Sequence, residues 1–182
     1  MEIVPTDLPG VLRLRPRIFS DERGWFTETW NVTTFAKLGL PAHFVQDNQS
    51  RSRKNVLRGL HFQIQQPQGK LVRAVAGSIF DVAVDIRTNS PDFGRWVGVE
   101  LHAETPEMLW IPPGFAHGFL VLSEWADVVY KTTDFYCASG ERTVLWNDPT
   151  LQIAWPLRES PVISNKDAQG TLLGNTELPA GE

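Results

Sequence analysis

Residues 78–87 read Ser-Ile-Phe-Asp-Val-Ala-Val-Asp-Ile-Arg, and the fold class turns on this stretch. Phe80, Val82, Val84 and Ile86 alternate with Ile79, Asp81, Ala83, Asp85 and Arg87. Successive side chains of an extended strand point to opposite faces, so one face is fully apolar and the other carries charge, with Asp81 and Asp85 side by side. Similar short segments recur at 71–76, 96–101, 108–111, 118–122, 126–132 and 141–146, separated by turn-rich clusters such as TNSPDFG at 88–94. Regularly spaced short strands indicate a mostly β protein, a barrel or sandwich with a few short helices. One helix is expected over 31–38 (NVTTFAKL), capped by Asn31 or Thr33 and ended by Gly39. From Pro156 the alternation fades and Ser, Pro, Asn and Gly accumulate, which predicts a loop and small helix packed on the barrel and fraying toward Glu182.

With 182 residues, 42% hydrophobic and 21% charged, the chain fits one globular domain over 1–182, its barrel core at about 44–148 and a C-terminal segment, 149–182, lying on it. A chain of this length buries roughly 70% of its unfolded surface and needs no covalent staple. The single cysteine, Cys137, rules out an internal disulfide and any cysteine-rich zinc site, and a reducing cytoplasm is the expected compartment. No run approaches the roughly 20 apolar residues of a membrane span, and MEIVPTDLPG lacks the pattern of an export signal, so no membrane partner is expected. A net charge of −4 argues against nucleic acid. The basic run RSRKNVLR at 51–58 reads as a solvated loop, with phosphate binding as the alternative.

Two histidines stand in distinctive places, His61 in RGLHFQ (58–63) and His117 in PPGFAHGF (112–119). The PxGxxH arrangement turns the chain sharply and delivers an imidazole onto a strand, as in the second segment of cupin barrels; a satisfied core histidine is the bland alternative. A metal-binding cupin would present paired histidines at i and i+2 in its first segment, where this chain has His61 and Gln63. No metal is therefore expected, and the imidazoles suit proton transfer. Strict alternation puts His61 and Gln63 on one face and Arg58, Leu60 and Phe62 on the other, although Gly59 permits a bulge that re-aims Arg58. Lys70 begins a strand after Gly69 and reads alone as a solvated edge lysine; Tyr130, after two valines, reads alone as core.

In order along the chain, FSDERGWF (19–26), FVQDN (44–48), NVLRGLHFQ (55–63), QGKLVR (68–73), FDVAVDIR (80–87), WIPPGFAHGF (110–119), YKTT (130–133) and WNDP (146–149) together resemble the dTDP-4-dehydrorhamnose 3,5-epimerase family. The resemblance implies a metal-free cupin jelly roll without cofactor, a homodimer, acting on dTDP-4-dehydro-6-deoxy-D-glucose. The C4 ketone of that sugar acidifies the hydrogens at C3 and C5. By resemblance His61 is the base, with Asp167 of SNKD (164–167) as its carboxylate partner, Lys70 is the cation beside the C4 oxygen, and Tyr130 is the proton donor on the opposite face. His117 matches a site histidine that Asp81 could orient. The nucleotide positions are Arg23, Glu28, Gln46, Asp47, Asn48, Arg58, Glu141 and Lys166, while Arg51, Arg53 and Lys54 are left as surface charge and Phe19 and Trp25 as core packing. Loop 64–67 departs most from the family pattern. The rival readings are a relative inverting one carbon or moving the ketone, a metal-dependent cupin, and a non-catalytic sugar-nucleotide binder.

Overall fold

The structure is a computed structural model that describes residues 1–179; the end of the expected frayed tail, 180–182, lies outside the described residues. In chain order the elements are β1 (Glu2–Pro5), β2 (Leu12–Arg15), β3 (Ile18–Asp21), β4 (Gly24–Thr27), α1 (Val32–Lys37), β5 (Gln46–Arg53), β6 (Leu57–Gln63), β7 (Lys70–Ala76), β8 (Ser78–Asp85), β9 (Trp96–His102), β10 (Met108–Ile111), β11 (Phe115–Val121), β12 (Trp125–Thr132), β13 (Glu141–Thr143) and α2 (Asn165–Ala168). One sheet runs β1-β2-β10-β7-β12-β5, a second runs β13-β6-β11-β8-β9, and β3-β4 form a separate hairpin. All of these pairings are antiparallel. Both larger sheets keep free edges, so the jelly roll is an open sandwich rather than a closed barrel.

The core between the sheets joins Val72, Ala74, Leu109, Ile111 and Val128 of one to Ile79, Ala83, Leu101, Phe115 and Phe119 of the other. The apolar face read from residues 78–87 is the opposite one. Val82, Val84 and Ile86 pack outward with Leu60 and Phe62, beneath Leu151 and Leu173 of the C-terminal segment. That segment is tied down by Asp148, whose carboxylate accepts the amides of Thr150 at 2.7 Å, Leu151 at 3.2 Å and Leu173 at 2.7 Å. The β8 strand is therefore buried on both sides, and its charged face looks into the sandwich. Asp81 and Asp85, each 0% exposed, are tolerated there because each has a strong partner, His117 and Arg87 respectively. On the far side of the six-stranded sheet, Leu14, Leu71, Met108 and Trp110 pack under Phe35 of α1. Asn31 caps α1 by accepting the amides of Thr33 and Thr34, and Gly39 ends it in the left-handed region at φ 71°.

The run 51–58 is not a solvated loop. Arg51 and Arg53 lie on β5, the turn is confined to residues 54–55, and Arg58 belongs to β6. The Arg51 guanidinium makes two bonds of 2.7 Å to Asp127 on the neighbouring strand. Burial along β5 does alternate, but the inward residues Gln46, Asn48, Ser50 and Ser52 are polar, so a hydrophobic pattern never forms. Two other strands differ in extent: the one expected at 118–122 begins at Phe115, and the one at 141–146 stops at Thr143. Strands β1 and β2, which precede residue 44, join the six-stranded sheet through β10.

Opposite β11, His61 pairs with His117 but Arg58 pairs with Phe119, so β6 carries an extra residue between them. The bulge centres on Gly59, at φ 112°, a conformation that side chains rarely adopt. It re-aims Arg58 to the same side as His61, with its Nε donating to Ser52 Oγ at 3.0 Å. A Cβ at Gly59 would lie 2.6 Å from both Gly118 Cα and His117 O, which are backbone atoms that cannot yield. We expect Gly59→Ala to cost about 2–4 kcal/mol, through strain and overpacking together, seen as a lower urea midpoint with an unchanged m-value.

Candidate active site

The cleft that opens between the sheets has a cavity volume of about 250 Å³ and is lined by Arg58, His61, Gln63, Lys70, His117 and Tyr130, together with Ser50, Gln68, Tyr136 and Glu141. His61 and His117 are cross-strand neighbours on one wall. Tyr130 on β12 and Lys70 on β7 stand on the other, where Tyr130 pairs with Val72 and Thr132 with Lys70, placing Lys70 and Tyr130 on one face.

Each histidine is held by a buried carboxylate. The His61 Nε2 lies 2.7 Å from Asp167 Oδ1, across 106 residues of sequence, and Asp167 Oδ2 accepts the Gly59 amide at 3.3 Å. Ser164 caps α2 and thereby orients Asp167. Burial pushes the Asp167 carboxyl up, but His61, the Gly59 amide and Ser164 more than offset this and hold it below the usual carboxylate range. His117 Nε2 lies 2.6 Å from Asp81 Oδ1. Burial drives the His117 imidazole below its ordinary value; Asp81 opposes this, and Lys70 and His61 add to it. A neutral imidazole bound to Asp81 follows. Burial likewise raises the Tyr130 phenol, against Arg58, so the hydroxyl keeps its proton at neutral pH.

Lys70 is not a solvated edge lysine. It is 8% exposed, its Nζ donates to the His61 carbonyl at 3.3 Å, and desolvation pushes its pKa down to about 8 despite the attraction of Asp81 and Glu141. The ammonium is thus mostly charged at pH 7 yet poorly solvated, which suits a cation held for a developing negative charge.

Other residues singled out from sequence take different places. Glu141 carries Lys166 at 2.5 Å and the Tyr136 hydroxyl at 2.7 Å. Both the Gln46 and Asn48 side chains share the inner face of β5, joined by a 2.8 Å bond, while Asp47 points the other way and pairs with Lys131 at 2.8 Å. Arg23 sits in the turn of the β3-β4 hairpin, bonded to Asp21, and Glu28 faces the start of α1 through Asn31 and Thr34. Within one chain neither lines the cleft. Nor are Phe19 and Trp25 core residues: they are 49% and 53% exposed on that hairpin, beside Phe26 at 68%. Two glutamines at the cleft, Gln63 and Gln68, went unassigned from sequence, as did Tyr136; the only signal was that Gln63 shares a face with His61.

Fold and cleft together define a proton-transferring enzyme on a cupin-type sandwich, in which imidazole and phenol face each other across a polar gap. Among the described residues no group of three or more metal-ligating side chains converges. The family model of dTDP-4-dehydrorhamnose 3,5-epimerase matches residues 5–175. The enzyme of that name from Salmonella typhimurium is 55% identical over 180 residues, covering 98% of each chain. Its namesake from Pseudomonas aeruginosa is 54% identical over 171 residues, 93% of this chain and 94% of that one. Among solved structures, the dTDP-6-deoxy-D-glucose-3,5-epimerase of Legionella pneumophila in complex with dTDP-4-keto-L-rhamnose superposes with a TM-score of 0.96 at 49% identity, over 100% of this chain and 98% of that one. The chain belongs to the dTDP-4-dehydrorhamnose 3,5-epimerase family, a family of isomerases.

The depressed lysine has a thermodynamic signature. Between pH 8 and about 10 the unfolded state binds more protons at this position than the folded state, so unfolding free energy rises with pH over that window, by up to about 3 kcal/mol. Denaturant titrations should show this rise in the wild type and not in Lys70→Met.

Proposed function

We propose that this protein epimerises dTDP-4-dehydro-6-deoxy-D-glucose at C3 and C5, giving dTDP-4-dehydro-L-rhamnose, in the cytoplasm and without metal or cofactor. The observation that carries the reading is the opposition of His61 and Tyr130, which come from different sheets and face one cleft with Lys70 beside them. Inversion at a carbon needs a proton removed from one face and returned to the other. His61, whose orientation and tautomer are set by the Asp167 carboxylate at Nε2, takes the proton from the carbon next to the ketone through Nδ1. The resulting enolate places its charge on the C4 oxygen. Lys70 is the group that stabilises that oxygen more than it stabilises the ketone, while the neutral His117, whose single N–H is donated from Nε2 to Asp81, keeps Nδ1 as an acceptor. Tyr130 then delivers a proton to the opposite face, and solvent resets both groups. The same cycle at the second carbon completes the reaction. Double inversion is favoured over a single one by the 3,5-epimerase activity that names the relatives at 54% and 55% identity.

Arg58 on the cleft wall, with Lys166 and Glu141 at the rim, supports the nucleotide, since arginine suits a diphosphate. Arg23 and Glu28 fit only a second copy. The hairpin exposes Ile18, Phe19, Trp25 and Phe26, an apolar face suited to burial against a partner, and a homodimer in which Arg23 of the partner subunit reaches the diphosphate gives both observations one cause.

Proton NMR of the substrate in deuterated water tests the chemistry: the C3 and C5 signals both vanish, and a reductase with NADPH traps dTDP-L-rhamnose. Loss of one signal alone would make the protein a single-site epimerase. His61→Ala should abolish exchange with dTDP affinity retained, and Asp167→Asn should slow it by about 10²–10⁴-fold. For the shared site, His61→Ala and Arg23→Ala homodimers should each be impaired, and mixing them should restore activity, because one site of each heterodimer is then intact. No recovery after subunit exchange would place Arg23 outside the site.

A further inference from the structure

Residues 133–140, between β12 and β13, have no ladder of their own, yet Tyr136 in their midst presents its ring to the cleft. Two glutamine side chains hold it there. Gln63, 6% exposed and two residues after His61 on the same face, donates from Nε2 to the carbonyls of Phe135 at 3.1 Å and Gln66 at 2.7 Å, and its Oε1 accepts the Cys137 amide at 2.9 Å. Its amide thus grips the backbone on both sides of Tyr136, as a neighbouring strand would. The Tyr136 amide itself donates to Gln46 Oε1 at 3.1 Å. From this frame the Tyr136 hydroxyl donates to Glu141, whose carboxylate also holds Lys166, the residue before Asp167.

We infer that Gln63, assisted by Gln46, is a positioning residue that fixes the Tyr136 ring over the bound sugar nucleotide. This rests on the cleft being a sugar-nucleotide site. Only an uncharged amide can do it: the carbonyls of Phe135 and Gln66 need a donor and the Cys137 amide needs an acceptor, so Gln63→Glu would set a carboxylate against two carbonyl oxygens. Gln63→Met keeps the length and loses every bond.

A double-mutant cycle on Gln63→Met and Tyr136→Ala, read as calorimetric affinity for dTDP-glucose, which lacks the ketone and cannot react, tests the inference. Each single variant should weaken binding about tenfold, and the pair should be no weaker than Tyr136→Ala alone, because Gln63 acts through the Tyr136 ring. KM for the reactive substrate should rise with kcat within about threefold, and Tm should move little. Independent, multiplying effects, or a fall in Tm with affinity unchanged, would overturn the inference and leave Gln63 a structural residue. Should Gln63→Met fail to fold, Gln46→Met, which removes the bond to the Tyr136 amide, takes its place in the same cycle: non-additive loss with Tyr136→Ala supports the inference, and multiplying losses overturn it. Because the cycle reads binding, it decides Gln63 even if the wild type washes no deuterium into the substrate, a result that would sink the epimerase reading alone.

Discussion

Three amides on one carboxylate fold the C-terminal segment of this molecule back on itself. Asp148 gathers Thr150, Leu151 and Leu173, and so returns the C-terminal segment across the outer face of the five-stranded sheet. Burial favours the neutral acid, but the three amides more than compensate and keep the carboxyl below its usual range. With the segment in place, Val82, Val84, Leu60 and Phe62 have an apolar cover on the outside. The inner face of the same strands is then free to carry His61, His117 and Asp81, because the sheet's hydrophobic burial is met elsewhere. The same return brings α2, and Asp167 with it, against β6. Cover, dyad and polar cleft share one anchor.

Inside the cleft, charge is arranged to be nearly self-compensating. The carboxylates of Asp81, Asp167 and Glu141 stand against the cations Lys70, Arg58 and Lys166. Asp81 Oδ2 has no hydrogen-bond partner among the described residues, which leaves its charge available to Lys70 through space. A desolvated ammonium would otherwise lose its proton near neutrality, so Asp81 and Glu141 keep the cation present. Among the described residues Lys70 has no carboxylate bonded to it and donates only to a backbone carbonyl. Its charge is therefore not neutralised by contact, as the proposed stabilisation of an enolate requires.

Much of this was legible in the sequence because it rests on local rules. The strict alternation at 78–87, the Asn31 cap and the Pro-Gly turn before His117 all read correctly, since each is decided within a few residues. The bulge at Gly59 was readable only as permission; the choice of side for Arg58 comes from the approach of Gly118 across the sheet. Strand β5 was lost because its inward residues, Gln46, Asn48, Ser50 and Ser52, are polar and give no hydrophobic period. The His61–Asp167 pair spans 106 positions, and no spacing rule connects them; only resemblance to a family did. Gln63 and Tyr136 were missed for a related reason: a side chain acting as a strand partner leaves no periodic trace.

The separation of His61 and Tyr130 onto different sheets gives the hydrophobic core a second office. Packed sheets lie about 10 Å apart, a distance fixed by the side chains between them, and a pyranose ring with a proton carrier on each face must fit that gap. Val72, Val128 and Phe115 are thus the gauge blocks of the proposed reaction. On the proposed reading, a methylene added or removed there would shift the two walls relative to one another, so the fit of the sugar between them depends on residues buried behind the cleft.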